Sequence, residues 1–528
     1  MLHIDTPHRR LFRLTMGAVV SAWVVLTATA CGGSPSESGA DQSSTATAAE
    51  GASPSETAQQ ETPESFVSRP DLAPPEVAVD EGEAWSDEQA TTDDLTFVTP
   101  GFDGNKPTTG AMILDATGEP VWMLASDKED PNGNYFDLRV QQYQGEPVLT
   151  YYLGSSGPGY GAGSFHVLDQ NYQEITQVTT GGSLGAGKAD FHDSTITDRG
   201  TMLLMAYVPT RVDLSKVGGP KDGWAMDGVI QEVDIATGEV LFEWSAMDHV
   251  PLTDTEKDFA KAKSEKEKTG TEELPFDYFH INSVREDDDG SLLVSARNTH
   301  AVYRLDRETG EVDWTLGGSS SDFELGDGAE FQWQHDAQRA EDGTLTLFDN
   351  HNDTGDGDSS RGLRLELDEE AMTAEVVTEY APPEDRPAGA MGNMQHLDNG
   401  NLLVGWGTRP FFSEYTDDGE LVADATHGGN GSYRAYEQQW DGTPATDPDV
   451  KLRDEDGQRT AHVSWNGATE VEQWRLVTGS SEQDATAQEP VDRKGFETEL
   501  SVTDDAQYVA VEALDKDGNV LGTGVAQD

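Results

Sequence analysis

Residues 279–297 read FHINSVREDDDGSLLVSAR: a histidine heads a short run, an acidic turn follows, and an apolar run ends on an arginine. Related phrases stand at 191–207, FHDSTITDRGTMLLMAY, and at 334–350, QHDAQRAEDGTLTLFDN. Each reads as a hairpin, because the corner glycine supplies the positive φ that a tight turn needs. These corner glycines fall at 145, 200, 290, 343 and 400, with successive spacings of 55, 90, 53 and 57. A second turn phrase recurs, as LDATGEPVWML (114–124), VDIATGEVLFEW (233–244) and LDRETGEVDWTL (305–316). Thr-Gly-Glu turns the chain there, and the trailing tryptophan is placed to plug the gap between neighbouring units.

Repeating units of this length with four short strands each predict propeller blades. Five hairpins are visible, and a sixth blade is expected where strands from 94–125 pair with strands from 409–440. The fold class is therefore all-β, with a six-bladed β-propeller over 91–445. The long spacing holds an insertion, TDTEKDFAKAKSEKEKTGTEELP at 253–275, expected to form a charged, exposed helix. From 446 to 528 the texture changes to alternating runs such as HVSWNGATEVEQWRLVTG and YVAVEALDKDGNVLGTGVA. These predict a small Ig/fibronectin-like β-sandwich with Trp465 and Trp474 in its core, read as a stabilising or docking module.

The N-terminus has a different texture. HRRLFR at 8–13 precedes the apolar run MGAVVSAWVVLTATA, which ends at Cys31, the only cysteine. A basic n-region, an apolar h-region and small residues at the cut describe a secretory signal. Ala28, Thr29 and Ala30 before the cysteine resemble a bacterial lipoprotein signal, which makes 1–31 the leader and Cys31 the lipidated residue. The protein is then expected at the outer face of the cytoplasmic membrane, held by its lipid alone. Arg9-Arg10 also fits twin-arginine export, and an ordinary cleaved signal is the alternative. Residues 32–90, rich in Ser, Ala, Thr, Glu and Pro, read as a disordered tether. With one cysteine no intrachain disulfide forms.

Lys and Arg total 34 against 99 Asp and Glu, a net charge of −65. Such acidity argues against nucleic acid as a partner, since phosphate binding needs a basic surface. It otherwise reads as a heavily solvated exterior.

In a propeller the first strand of each blade lines the central axis. His192 and His335 each lie eight residues before their corner glycine, and His280 lies ten before Gly290, whose turn is longer. Three blades thus aim a histidine at one rim. His396, four before Gly400, is out of register. Antiparallel return brings Arg297 back beside His280 and Asn350 back near His335. Asn282 is two residues on from His280 and should share its face. The sequence predicts a cluster of His192, His280, Asn282, Arg297 and His335, with Asn350 beside it.

These phrases, above all FHDSTITDRG, DYFHINSVREDDDGSLLVSARNT, FQWQHDAQ and LFDN, resemble the bacterial arylsulfate sulfotransferase family. The branch with an added β-sandwich, found in actinobacteria and fungi, is the most similar. The resemblance implies a six-bladed propeller, export, and transfer of a sulfuryl group from an aryl sulfate to a phenol through a sulfated histidine, without a nucleotide donor. It also implies that His335 is the nucleophile and that His192, His280 and Arg297 bind and polarise the sulfuryl oxygens. The sequence departs in lacking the cysteines with which some members form a disulfide.

The residues support this chemistry on their own terms. A neutral imidazole is a good nucleophile near pH 7, and a cation stabilises oxygen charge as it builds. A phenolate leaves readily, phenol having a pKa of about 10. Either His192 or His280 can serve as general base toward the acceptor phenol. Neither cofactor nor metal is expected. Two rival readings stand beside this one: a metal enzyme with histidines as ligands, against which Arg297 argues by repulsion, and a non-enzymatic surface binding module. DNHNDTGDGDSS at 349–360 partly resembles a calcium loop, but Ser360 stands where a bidentate glutamate is expected. The sequence leaves the oligomeric state open.

Overall fold

The structure is a computed structural model that describes residues 65–86, 94–101, 109–125, 133–157, 159–351, 359–428, 431–455, 457–503 and 506–526. The expected leader, Cys31 and most of the expected tether lie outside the described residues, as does the centre of the acidic loop at 352–358.

Six blades of four antiparallel strands surround one axis. Blade 2 runs Asn134–Tyr143, Glu146–Ser156, Gly161–Leu168 and Glu174–Val178, from the axis outward. The innermost strands of blades 3, 4, 5 and 6 are Ser194–Ile196, Ile281–Glu286, His335–Arg339 and Asn393–His396. Blade 1 closes the circle: its outer strands, Leu95–Val98, Thr109–Leu114 and Pro120–Ala125, take their inner partner from the far end of the propeller sequence, Ala435–Gln438. The expected pairing of 94–125 with 409–440 is this closure. The inner strands touch their neighbours in an unbroken cycle.

The apolar runs of the hairpins follow from this geometry. Each blade is covered on both faces, so alternate residues of a strand enter different cores. In TMLLMAY, Met202 and Leu204 pack against blade 2, while Leu203 and Met205 pack against blade 4. In LLVSA, Leu292 and Val294 face blade 3, and Leu293 faces blade 5. The corner glycines at 145, 200, 290, 343 and 400 all have φ between 75° and 89°. The recurring tryptophans do bridge blades: Trp244 donates Nε1–H to the Gly310 carbonyl of blade 4 at 2.9 Å, and Trp122 stacks on Tyr172 of blade 2 at 5.2 Å.

Three expectations need correction. The tether expected to 90 gives way to ordered chain within its C-terminal part: Val77–Glu81 adds a fifth, outermost strand to blade 6, and Leu72 is buried there. Its apolar Val77 and Val79 cover the edge that blade 6 would otherwise expose. The insertion at 253–275 forms a 3-10 turn at Leu252–Asp254 and one short α-helix, Phe259–Glu265, capped by Asp258. It is not simply exposed, because Phe259 and Phe276 anchor it in the core between blades 3 and 4. In the C-terminal domain Trp474 is central, whereas Trp465 lies at the rim and donates to the Thr446 carbonyl.

That domain is a β-sandwich of one sheet built from Asp449–Glu455, Gln458–Ser464 and Thr498–Val502 and a second built around Gln473–Gly479 and Tyr508–Leu514. It docks on the outer edge of blade 1. Asn466 exchanges two hydrogen bonds of 2.9 Å with the backbone of Met123, and Gly467 N–H donates to the Val121 carbonyl.

Candidate active site

His192 lies two residues before the inner strand of blade 3, His280 directly precedes that of blade 4, and His335 begins that of blade 5. All three therefore open onto the same end of the axis. The rings of His192 and His280 meet edge to face with centroids 5.1 Å apart. His335 lies close enough to His192, His280 and Arg297 that their charges bear on its protonation. His192, His280, Arg297 and His335 are thus brought together.

The local backbone is unusual. His280, Asp336, Trp333 and Met391 all have φ between 54° and 68°, a region that costs energy for residues with a side chain. The inner strands of blades 2, 4 and 5 each carry a register irregularity there, at Phe136/Arg139, Ile281/Ser283 and His335/Gln338. Such bulges re-aim side chains. The strict alternation expected for His280 and Asn282 is broken by one of them. Asn282 instead donates Nδ2–H to the Gln334 carbonyl of the next blade at 2.6 Å, one residue before His335.

Each histidine has its Nδ1 occupied. His280 Nδ1 meets Asp277 Oδ2 at 2.5 Å, and His192 Nδ1 makes a short contact with Asp190 Oδ1. Asp190 also accepts from the backbone of His192 and of Gly161, so its orientation is fixed. His335 Nδ1 meets Asn350 Oδ1 at 2.6 Å. The Asn350 amide cannot be turned the other way, because its Nδ2 donates to the carbonyls of Ala388 and Met391, both at 2.9 Å. His335 Nδ1 must therefore carry the proton. Its Nε2 is left with a lone pair, faced by the Met391 N–H at 3.2 Å. Burial, then the Arg297 charge, hold the His335 pKa well below the ordinary histidine value. Burial likewise lowers that of His280, against the pull of Asp277.

Arg297 follows the return strand of blade 4, and its backbone N–H donates to the His280 carbonyl at 2.8 Å. Its guanidinium lies over the Trp333 ring at 4.6 Å and donates to the Gly389 carbonyl at 3.0 Å. Tyr207 leans on both His192 and His280 with centroids at 5.6 Å, and Tyr160 stacks on it at 5.4 Å. Gly159 comes so close to His280 that a Cβ there would sit 3.3 Å from its Cε1.

Beneath this layer lies a second, fully charged one. Four inner strands place an aromatic ring followed directly by a charge: Phe136-Asp137, His192-Asp193, His335-Asp336 and Tyr433-Arg434. The rings form the site and the charges form its floor. Asp193 accepts from Arg139, Arg285 and Arg434 at 2.8–3.0 Å, and Arg285 and Arg434 reach on to Asp336. Five blades are tied at the axis by this network, all of it buried.

The Arylsulfotransferase (ASST) family description matches residues 139–428, more than half of the chain and the stretch that carries all of these histidines. The chain belongs to the arylsulfotransferase family. No curated protein matches it. Similar solved structures include a protein of unknown function from Bacteroides caccae, at 12% identity and TM-score 0.39, covering 66% of this chain and 100% of that one. A streptogramin B lyase structure is similar at 13% identity and TM-score 0.34, covering 73% and 94%. A catalytically inactive virginiamycin B lyase from Staphylococcus aureus, with quinupristin, is similar at 10% identity and TM-score 0.30, covering 73% and 93%. Likeness this distant says nothing about chemistry.

In this arylsulfotransferase family member the sequence reading missed Asp190, Asp277, Tyr207, Trp333, Met391 and Tyr433. The two carboxylates had a local signal, lying two and three residues before their histidines. Met391 and Tyr433 had none, because they reach the site from the last blade and the closing strand. Among the described residues no three His, Cys, Asp or Glu side chains are grouped as ligands for a metal ion.

Proposed function

We propose that this arylsulfotransferase family member moves a sulfuryl group from an aryl sulfate to a phenolic acceptor through a sulfated His335, without a nucleotide donor or cofactor. The observation that carries this reading is the fixed tautomer of His335: Asn350, itself locked by two backbone carbonyls, accepts a hydrogen bond from Nδ1–H and leaves Nε2 as the nucleophile.

Attack by Nε2 on sulfur forms the S–N bond as the S–O bond to the aryl group breaks. The leaving aryl oxide takes the electron pair. Arg297 meets the charge on the sulfuryl oxygens, and His192 or His280 adds to this once its Nε2 has taken up a proton. The Met391 N–H, already beside Nε2, can turn to one of those oxygens once the lone pair is used. The second half-reaction reverses the first, and His192 or His280 accepts the proton of the acceptor phenol. Asn282 holds the Gln334 carbonyl and so fixes the strand at the nucleophile.

The leader at 1–31 supports export and anchoring by lipid at Cys31. A Cys31→Ala variant expressed in a bacterial host should then leave the membrane fraction; retention there would remove the anchor from this reading.

Wild type and His335→Ala are to be compared with 4-nitrophenyl sulfate and a phenol acceptor. Release of nitrophenol by wild type, together with a sulfated His335 peptide, is expected. Binding of the sulfate ester with no release by wild type would favour a binding module instead.

A further inference from the structure

Tyr433 belongs to no motif of the site, yet its ring packs against His192. It comes from the segment that leads into the closing strand Ala435–Gln438 and is 1% exposed. Its ring meets His192 edge to face at 5.6 Å, and it packs in the same manner on Phe191 at 5.6 Å and Phe136 at 6.1 Å. Its carbonyl accepts from Gly392 N–H at 3.0 Å, the residue after Met391, whose own N–H faces the nucleophilic Nε2.

The ring cannot swing away. Arg434, the next residue, is tied to Asp193 at 2.8 Å and to Asp336 at 3.2 Å, the residues that directly follow His192 and His335. One network thus sets Tyr433 and both histidines together.

The two tyrosines beside His192 differ in one respect. The hydroxyl of Tyr207 donates to the Ile281 carbonyl and is satisfied. The hydroxyl of Tyr433 is buried and makes no hydrogen bond among the described residues. Folded proteins rarely keep a buried donor in that state, because it has lost water and gained nothing. Where they do, the group calls for an explanation, and a catalytic role, a bound ion or an ordered water are the usual ones. Burial holds the Tyr433 phenol well above its ordinary pKa, so it stays a donor at neutral pH.

We propose that Tyr433 is a further catalytic residue of this site, its O–H donating a hydrogen bond to the sulfuryl group in transfer. The inference rests on the sulfuryl-transfer reading above. Tyr433 keeps its proton throughout: the S–O bond breaks, the S–N bond to His335 forms, and the phenol stabilises charge on a peripheral oxygen. A donor held in a site closed to water acts most strongly on the transition state, where that charge is redistributed.

Tyr433→Phe removes one oxygen atom and leaves the ring. Because the lost hydroxyl has no partner in the fold, the variant should melt at the wild-type temperature or above it. Its rate of nitrophenol release from 4-nitrophenyl sulfate should nevertheless fall about 10²-fold, and its affinity for inorganic sulfate, titrated calorimetrically, should weaken. Full activity with unchanged sulfate affinity would overturn the proposal. So would a fall in melting temperature that parallels the loss of rate, since that marks a structural role. If wild type forms no sulfated His335 at all, the transfer reading fails, while the sulfate affinities of wild type and Tyr433→Phe still decide whether the hydroxyl meets an anion.

Discussion

His192 and His280 sit on neighbouring blades and meet edge to face at 5.1 Å, each with a carboxylate on Nδ1. Asp190 and Asp277 therefore hold the Nδ1 side of both rings and leave Nε2 facing away from the carboxylates. The two histidines act as a pair only because the carboxylates fix both tautomers.

Replacing Asp190 or Asp277 by Asn keeps the shape and removes the charge that selects the tautomer. Each variant is expected to lose on the order of 10²-fold in kcat/KM with little change in melting temperature. For Asp277→Asn the pH–rate profile should also move, because His280 has lost its anionic partner. A loss of rate with an unmoved profile would mean that the carboxylates only support the loops that carry them.

The pH dependence has a definite sign. Burial and Arg297 push the His335 pKa down, and burial lowers that of His280. Both rings then remain neutral below the ordinary histidine value of about 6.5. The acid limb of kcat/KM for 4-nitrophenyl sulfate should lie below that pH, with no loss between pH 6.5 and 7.5. Arg297→Gln removes a neighbouring positive charge, so the limb should move to higher pH. An acid limb centred above pH 6.5 in wild type would contradict the buried, neutral nucleophile.

Stability should carry a separate pH signature from His427, on the outer strand of blade 6. Burial lowers its pKa from 6.5 to about 4. Between those values the unfolded chain binds a proton that the folded chain refuses, so stability falls as pH drops through this window. The loss is about 3 kcal/mol at full extent, and none of it appears above pH 6.5. His427→Phe should flatten this part of the urea-midpoint profile between pH 4 and 6.5.

Asp193 is shared by Arg139, Arg285 and Arg434 and is wholly buried. Removing it leaves three guanidinium groups at the axis with too little opposite charge. Asp193→Ala should cost about 3–5 kcal/mol of stability, the usual penalty for breaking a buried ion network from one side. Urea unfolding measures this directly; a change below about 1 kcal/mol would mean that the axis is hydrated like a surface.

How far the residues alone led can be judged position by position. Corner glycines and the recurring histidine made five blades and the convergence of His192, His280 and His335 legible, because a repeated hairpin repeats its geometry; the sixth blade was expected from closure. Arg297 and Asn350 were legible for the same reason, since antiparallel return is a local rule. The strand at Val77–Glu81 was hidden by its surroundings: five residues of weak alternation beside a polar tract carry too little signal, and only the open edge of blade 6 makes them a strand. Trp465 shows the converse, an aromatic that the pattern places in the core and the packing leaves at the rim.

What the sequence determined by itself was periodic: strand, turn and the position of each histidine within its blade. What only the tertiary structure decided was everything that depends on closing the circle. Tyr433 and Arg434 come from the segment that leads into the closing strand and Met391 from the loop before blade 6, far from the histidines along the chain. Their contacts arise because a propeller must bring its end back to its beginning, and bulges in the inner strands of blades 2, 4 and 5 then set which of their side chains face the axis. Neither fact is a property of any short stretch of residues, so no short stretch could announce it.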